Sequence, residues 1–574
     1  MRLRAIVPTL GAAIALAANV PVFAQADDVL VSNGSPPTTF AQNKQNEPAI
    51  AVDANHPNIL AAGSNDEIDL EACNAGNPTT CPFTQGVGIS GIYFSFDSGK
   101  TWTQPTYTGW TARHCVVPNQ PCSPRVGPIG TLPKYFENGL ASDGDPALAF
   151  GPVRRNGHFS WANGSRLYYA NLTSNFSSQR SEEAFKGFEA VAVSRTDNPQ
   201  AAAANDASAW KAPVIVTKQN SALFSDKEQI WADNAASSPF FGNVYVCSAA
   251  YRGLPGRSEP LVVGTSRDGG DTWIQRQLTP AVNNIQHFGR SGCTIRTDSH
   301  GVVYVFAYEF AFGFPGFGDH IMIRSFDGGM SWTRPQRLFT AVDLCNAFDP
   351  VIGRCVEDGI AGARDDLGPD PDIDIANGAP TGADATNEIV DTWVDGRLGL
   401  NHEKVLLRSS TNGGRTWSAQ MDITRPGDRG YYSAPGISPN GTDLYIVYNA
   451  FLTPYRDNTT EPRILEGVVL HSGLAANGTP TGFSEIHRGA PGDPRGSSQN
   501  NQQAEFLGDY VYAVATRDYG AAVWNDTRNA ADCPAEDAYR ASLQTSSPLP
   551  RPAPNTQCPP TFGNSDIFGF TSAP

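Results

Sequence analysis

The sequence predicts an all-β chain built from one repeated, four-stranded unit, and three observations carry that prediction. Glycine (56) and proline (44) are frequent among the 574 residues, which favours many turns over long helices. Hardly any stretch places apolar residues at i, i+3, i+4 and i+7, as an amphipathic helix would. An eight-residue pattern also returns along the chain: "SFDSGKTW" (Ser95–Trp102), "SRDGGDTW" (Ser266–Trp273), "SFDGGMSW" (Ser325–Trp332) and "STNGGRTW" (Ser410–Trp417).

The N-terminal residues are set apart from this pattern. Arg2 and Arg4 precede an apolar run that ends in small-residue cleavage patterns at Val22-Phe23-Ala24 and Ala24-Gln25-Ala26. The run is short and broken by Pro8, Asn19 and Pro21, so residues 1–26 read as a secretory signal peptide rather than a membrane span. The expected location is therefore secreted or periplasmic, with residues 27–574 as the folded chain. No later stretch holds eighteen unbroken apolar residues, so no membrane span is expected. A net charge of −16 with no basic stripe argues against nucleic acid or an anionic membrane surface as partner.

Ten cysteines in an exported chain suggest disulfides. Cys73/Cys81, Cys115/Cys122 and Cys345/Cys355 are close pairs in loop-like sequence. Cys533/Cys558 would tie down the C-terminal region, which leaves Cys247 with Cys293. Spacing alone leaves the connectivity open. There is no C-x-x-C, hence no support for a zinc ribbon or a thioredoxin-like redox motif.

Gly99-Lys100-Thr101 looks like the end of a phosphate-binding loop, but Phe94 stands where that loop needs its first glycine. The four boxes read better as tight turns between strands. Each follows an extended apolar run ("GIYF", "LVVGT", "HIMIR", "KVLLR"). Within the box, Asp or Asn accepts from turn N–H groups, glycine supplies a positive φ, and the Ser or Thr hydroxyl closes the turn. The Trp packs beneath the hairpin.

The segments between boxes repeat as well. First strands are expected at Glu47–Asp53, Asp145–Phe150, Lys227–Asp233, Gly292–Asp298, Asp370–Ala376 and Ala434–Ser438. Each is followed by a turn and a second strand, as in "NVYVCSAAY" and "DLYIVYNAF". A seventh unit spans Gly508–Arg528 and closes with Ser565–Phe570, and Asp28–Ser32 fills its last position to close a ring. Boxes have decayed in Ser194–Trp210 and after Val468. Seven units are expected, six being the alternative; a small C-terminal β-sandwich is the competing two-domain reading.

These boxes resemble the Asp-boxes, or bacterial-neuraminidase repeats, of sialidases and other secreted β-propellers. Asp97, Asp268, Asp327 and Asn412 occupy the structural acidic position. The resemblance implies a single β-propeller over 27–574, with each box on the hairpin between a blade's third and fourth strands. Sialidase catalytic domains have six blades, so seven would be a departure.

Strand order then places the start of each first strand and the end of each second strand on one rim, where propeller loops converge on ligands. The leading positions are Glu47, Asp145, Lys227, Gly292, Asp370 and Ala434, with Arg290 just before its strand. The trailing positions are Asp66, Arg252, Glu309, Asp395, Arg397, Asp526 and Arg528. Asp66, Glu309, Asp395, Asp526 and Tyr432 are the candidate catalytic residues. Glu47, Asp145, Arg252, Arg290, Arg397 and Arg528 are the candidate substrate-binding residues. Arginine forks grip carboxylates, and paired acids can protonate a leaving oxygen or activate water. "WVDGR" (Trp393–Arg397) and "WNDTR" (Trp524–Arg528) have a plainer alternative, Asp capping a turn with Arg paired to it.

The sialidase pattern also implies an arginine triad and a Tyr–Glu nucleophile. The family's Arg-Ile-Pro motif is missing here; the nearest string is Pro462-Arg463-Ile464-Leu465. Arg290, Arg397 and Arg528 would have to replace the triad, with Tyr431 or Tyr432 as nucleophile. No cofactor is expected except for a Ca²⁺ reading at Asp370, Asp372 and Asp374, which share one face if extended, although the EF-hand glycine and glutamate are missing. Neither H-E-x-x-H nor G-x-S-x-G occurs. The expected function is an exported, monomeric, sialidase-like propeller that binds or hydrolyses glycans, acidic sugars first. A non-catalytic interaction or surface-binding scaffold is the alternative. A polysaccharide lyase, with Tyr432, His287 or Tyr308 as base, comes third.

Overall fold

The computed structural model describes residues 28–574 except 74, 76–80, 82, 178, 180, 218–222, 253–258, 282–288, 312–315 and 361. Residues 1–26, expected above to be a signal peptide, and His287 lie outside the described residues. The chain is a seven-bladed β-propeller of antiparallel sheets. Blade 1 is Gln45–Val52, Leu60–Asp66 and Ser90–Ser95. Blade 2 is Ala147–Arg155, His158–Asn175, Ala190–Thr196 and Val214–Ile215, with Leu140–Ser142 pairing the far end of His158–Asn175 as a fifth strand. Blade 3 is Leu223–Ala232, Val244–Arg252, Leu261–Ser266 and Ile274–Gln277. Blade 4 is Gly289–Thr297, Val303–Ala311, Phe317–Ser325 and Gln336–Val342.

Blade 5 comprises Asp372–Ile375, Ile389–Asp395, Lys404–Ser410 and Met421–Asp422. Blade 6 comprises Arg429–Ile437, Asp443–Phe451, Leu465–Gly473 and Ser484–Arg488. Blade 7 takes Tyr512–Ala515, Gly520–Asp526 and Asp566–Thr571, and its outermost strand is the N-terminal Val29–Leu30. That strand pairs antiparallel, Val29 with Gly569 and Leu30 with Phe568. The first strand of every blade packs against the first strands of its two neighbours, closing the ring around an axial channel.

Three details differ from the uniform four-stranded expectation, the fifth strand of blade 2 being one. Blade 1 has three strands, and its fourth position is reduced to isolated bridges, Phe94 with Thr103 and Gly91 with Thr131. Insertions add the hairpins Tyr107–Thr111/Arg125–Ile129 and Phe348–Asp349/Arg354–Cys355.

The core is a set of apolar layers between blades. Val193 and Ala232 belong to the layer joining blades 2 and 3, and Val263 and Ile295 to the layer joining blades 3 and 4. Alternation along each strand presents one apolar face to each neighbouring blade. The box tryptophans edge these layers: Trp273, Trp332 and Trp417 pack where their own blade meets the preceding one.

The four boxes share one hydrogen-bond scheme. In the first, Ser95 Oγ donates to Asp97 Oδ1 at 2.8 Å and accepts from Gly99 N–H at 2.9 Å. Asp97 then accepts from the N–H and hydroxyl of Thr101 at 2.9 and 2.6 Å. The boxes at 266–273 and 325–332 repeat this scheme. In the fourth, Asn412 Nδ2 donates to Thr416 Oγ1 at 2.7 Å, reversing one bond. The glycine at the turn has φ of 87° at Gly99 and 86° at Gly270, a region closed to most side chains.

Five disulfides join the ten cysteines: Cys73–Cys81, Cys115–Cys122, Cys247–Cys293, Cys345–Cys355 and Cys533–Cys558. Cys247–Cys293 ties the second strand of blade 3 to the first strand of blade 4. Among the described residues no helix is long and apolar enough to cross a membrane.

Candidate functional site

One backbone device repeats where the first strands begin. Glu47, Asp145, Lys227 and Tyr432 have φ of 55°, 50°, 57° and 53°, and Gly292 has 47°. In blades 1, 3, 4 and 6 the residue sits inside a β-bulge, which turns one side chain out of the strand's alternation. A left-handed backbone costs a non-glycine residue roughly 1–2 kcal/mol. In blade 6 the leading residue is Tyr432, two positions ahead of the expected Ala434. Blade 7 uses Gly508 (φ 81°), whose added Cβ would stand 2.7 Å from the Glu47 backbone nitrogen.

At the mouth these side chains meet. Glu47 accepts from Asn65 Nδ2 at 2.7 Å, while Asn65 Oδ1 accepts the Asp145 N–H at 2.8 Å. Tyr510 donates its hydroxyl to Asp145 at 2.6 Å. The Lys227 ammonium lies between carboxylates, bonded to Asp509 and 3.7 Å from Asp145. Arg364 reaches Asp509 at 2.8 Å and Glu47 at 3.6 Å. Tyr432 donates to the Arg364 carbonyl at 3.0 Å and to Asp509 at 3.2 Å.

The electrostatics sort these acids into two kinds. Burial, and then the carboxylates of Asp145 and Asp509, push Glu47 well above its usual range. Burial would also raise Asp145, but Lys227 and hydrogen bonds from Glu47 and Tyr510 hold it below. Burial opposes ionisation of Asp509 too, and Arg364 and Lys227 more than offset it. Asp226 is pushed up to about 7, by burial first and with Asp145 adding to it. Burial raises Asp143 to about 7 as well. An ionised Asp145 thus stands among acids that keep their protons near neutrality.

Two cavities open above this cluster and share Asp145 and Arg364 in their walls. One, of about 710 Å³, runs past Asp143, Glu67, Asn500 and Phe506. The other, of about 630 Å³, runs past Asp226, Tyr251, Glu259 and Tyr308. Together they form a groove over the channel mouth. A smaller cavity of about 170 Å³ closes the opposite end of the channel, walled by apolar groups such as Phe150 and Ile437.

The residues expected on the rim fall into two groups. Glu47, Asp145 and Tyr432 are at the mouth. The strand ends lie on the same face but engage in local pairs. Asp66 is fully buried and accepts from Tyr93 (2.8 Å), Gln104 (2.7 Å) and Ser35 (3.1 Å). Arg290 pairs with Glu309 at 2.7 Å, and Glu309 also takes Arg337. Asp395 accepts Trp393 Nε1 at 3.1 Å and the Arg397 N–H at 3.0 Å, and is forked by the Arg397 guanidinium. Asp526 repeats this with Trp524 at 3.1 Å and Arg528 at 2.8 Å, and Arg528 also forks Asp28. The turn reading of "WVDGR" and "WNDTR" therefore describes their geometry, and Arg290, Arg397 and Arg528 do not converge on one pocket. Arg252 ends its strand, and its side chain is not described.

The tyrosine and calcium expectations meet the following geometry. Burial pushes the Tyr432 and Tyr308 phenols above their usual value. Among the described residues, the one trio of His, Cys, Asp or Glu ligand atoms within 4.8 Å of one another is His114, Cys115 and Cys122, whose sulfurs form a disulfide. Asp370, Asp372 and Asp374 do not gather: Asp370 accepts from Ser291 at 2.7 Å and Asp374 pairs with Arg296 at 3.3 Å.

Arg364, Asp509, Asp226 and Tyr510 escaped the sequence reading. Asp226 and Asp509 each adjoin a left-handed leading residue, so aligning one residue either side of that position would have found them. Arg364 lies in the insertion between blades 4 and 5, which has no counterpart in other units.

No protein-family model matches the chain, and no curated protein does. Among solved structures the chain is similar to Trypanosoma rangeli sialidase in complex with sialic acid, at 12% identity and TM-score 0.38, over 89% of this chain and 73% of that one. Phage phi92 endosialidase shows 9% identity and TM-score 0.39, over 95% and 69%. Penicillium chrysogenum α-L-arabinanase complexed with arabinobiose shows 12% identity and TM-score 0.29, over 55% and 90%.

Proposed function

We propose that the protein is an exported propeller that binds glycans in the groove over its channel mouth and cleaves a glycosidic bond there. The observation that carries this reading is the ionised Asp145 beside protonated Asp226, both in the groove wall. Two carboxyl groups whose environments drive them apart divide the work of glycoside cleavage. Asp226 protonates the glycosidic oxygen as the bond to the anomeric carbon breaks. Asp145 stabilises the positive charge developing on that carbon. Water then adds to the carbon, and its proton returns to Asp226. Tyr251, Phe224 and Phe310 offer the flat faces against which sugar rings stack.

The substrate is a neutral or basic glycan rather than an acidic one. The groove carries more acids than bases, and the three arginines once assigned to a sugar carboxylate are each paired elsewhere. We read the four boxes as Asp-boxes and residues 1–26 as a signal peptide, in keeping with five disulfides, which persist in oxidising compartments.

The test is release of reducing ends from a panel of neutral and amino polysaccharides, with Asp226→Asn and Asp145→Asn as controls. Turnover lost in both variants, with melting temperatures kept, is the expected result. Saturable binding without turnover would make the groove a non-catalytic carbohydrate scaffold. Neither binding nor turnover by folded protein would end the glycan reading.

A further inference from the structure

The lobe between blades 3 and 4 is lined by more carboxyl groups than basic ones. Asp226, Glu259, Asp343, Asp365 and Asp366 line it, against Lys227, Arg354 and Arg364. The bases are engaged: Lys227 and Arg364 with Asp509, Arg354 with Asp366. Glu259 is 6% exposed and keeps one buried carboxylate oxygen, Oε2, without a hydrogen-bond partner, while the buried Asp365 carboxyl hydrogen-bonds with that of Asp343. The Tyr308 hydroxyl, in a residue 2% exposed, is unpartnered in the same wall. Buried polar atoms are nearly always satisfied, and leaving one unmet costs about 1–3 kcal/mol. Two in one cavity point to a ligand that supplies the missing partners.

A bare metal ion does not fit this wall. Ca²⁺ takes six to eight oxygens at about 2.3–2.6 Å, and no three carboxylates here bring ligand atoms within 4.8 Å of one another among the described residues. A group with several donors on an organic frame suits spread acceptors better, and an ammonium carries three. Half-buried Phe224, Tyr251 and Phe310 flank the lobe, with the Phe224 and Tyr251 rings 5.5 Å apart, and such faces hold both sugar rings and cations. Burial keeps Glu259 up to about 7, so an arriving ammonium would meet an acid ready to give up its proton.

We propose that this lobe receives the free amino group of an amino sugar, so that the glycan in the groove is one with unacetylated amines. The proposal rests on the reading of the groove as a glycan site.

Calorimetric titration of the full chain at pH 6 and 150 mM salt tests it with three β-1,4-linked hexasaccharides: glucosamine, N-acetylglucosamine and glucose. The glucosamine hexamer is expected to bind at least about tenfold more tightly than the other two. Glu259→Gln and Asp365→Asn should each abolish that preference. Should Glu259→Gln melt early, Asp365→Asn and Tyr308→Phe probe the same wall. Equal affinity for the three sugars, lost in Asp145→Asn, would overturn the amine site and leave the groove reading standing. A glucosamine preference that survives both acid variants would reduce it to attraction by overall charge and overturn the proposal. Binding of none of the three would overturn both readings together.

Discussion

Tyr510 donates its phenolic hydrogen to Asp145 at 2.6 Å, joining blade 7 to blade 2 across a sequence separation of 365 residues. The bond crosses the channel mouth and helps keep Asp145 ionised despite its burial. It ties the stability of the ring to the charge state of its proposed site.

Tyr510→Phe is therefore expected to destabilise the protein by about 1.5–3 kcal/mol at pH 7, the range for a hydrogen bond to a charged group. Denaturant unfolding of wild type and variant measures the difference. An unchanged midpoint would mean that the phenol contributes nothing to holding the anion.

Stability should fall from pH 5.5 to pH 8. Asp143, Asp226, Asp233 and Glu259 are each pushed up to about 7, by burial first. An acid raised in the folded state gives its full stabilisation below the unfolded value, near 4, and loses it as pH rises through the folded value. Asp145 and Asp509 are lowered, so their contribution holds above about pH 4 and fades only under stronger acid. Scanning calorimetry should thus give a higher melting temperature at pH 5.5 than at pH 8. The opposite order would contradict the burial of protonated acids around the channel.

The boxes predict an unequal response to two substitutions at one position. Asp268 accepts both the N–H and the hydroxyl of Thr272, at 2.9 and 2.6 Å. Asp268→Ala should cost about 1–2 kcal/mol, as the loss of a capping side chain does. Asp268→Asn should cost less than half of that, because Asn412 already closes the fourth box with one bond reversed. Chemical denaturation of the two variants decides it; equal losses would mean that charge rather than hydrogen bonding holds the turn.

The disulfides should differ in value by the loops they close. Cys247–Cys293 spans 46 residues and Cys115–Cys122 spans 7. In the chain-entropy model these are worth about 4 and about 2 kcal/mol. Paired Cys→Ala variants, compared by unfolding midpoint, should rank in that order, and the reverse ranking would count against an entropic origin.

The architecture was readable because its signals are local. Ser95, Asp97, Gly99 and Thr101 close a turn within seven residues, so the pattern survives in sequence wherever the turn survives in space. The Trp393–Asp395–Arg397 and Trp524–Asp526–Arg528 motifs were equally readable, and their plain turn geometry was already the alternative. The site was harder. Arg364 meets Asp509 from 145 residues away, out of an insertion that no other unit contains. Tyr432 stands two residues before its expected counterpart because the first strand of blade 6 begins at Arg429, ahead of the expected Ala434. Whether a charge at the rim is paired or free depends on partners far away in the chain, and spacing carries no record of them.

The seam of the ring lies where chain order is most scrambled. Blade 7 receives its outer edge from Val29–Leu30, and Arg528 clasps Asp28 across a separation of 500 residues. During synthesis from N- to C-terminus, Val29–Leu30 would have no partner until Asp566–Thr571 had followed. Blades 1 to 6 can assemble by adding neighbours in turn, whereas the seam must wait for a long-range closure, the slowest kind of contact to form. Until then Val29–Leu30 is a loose end and the outer edge of Asp566–Thr571 is bare. A chaperone acting on this protein would have most to do in that interval.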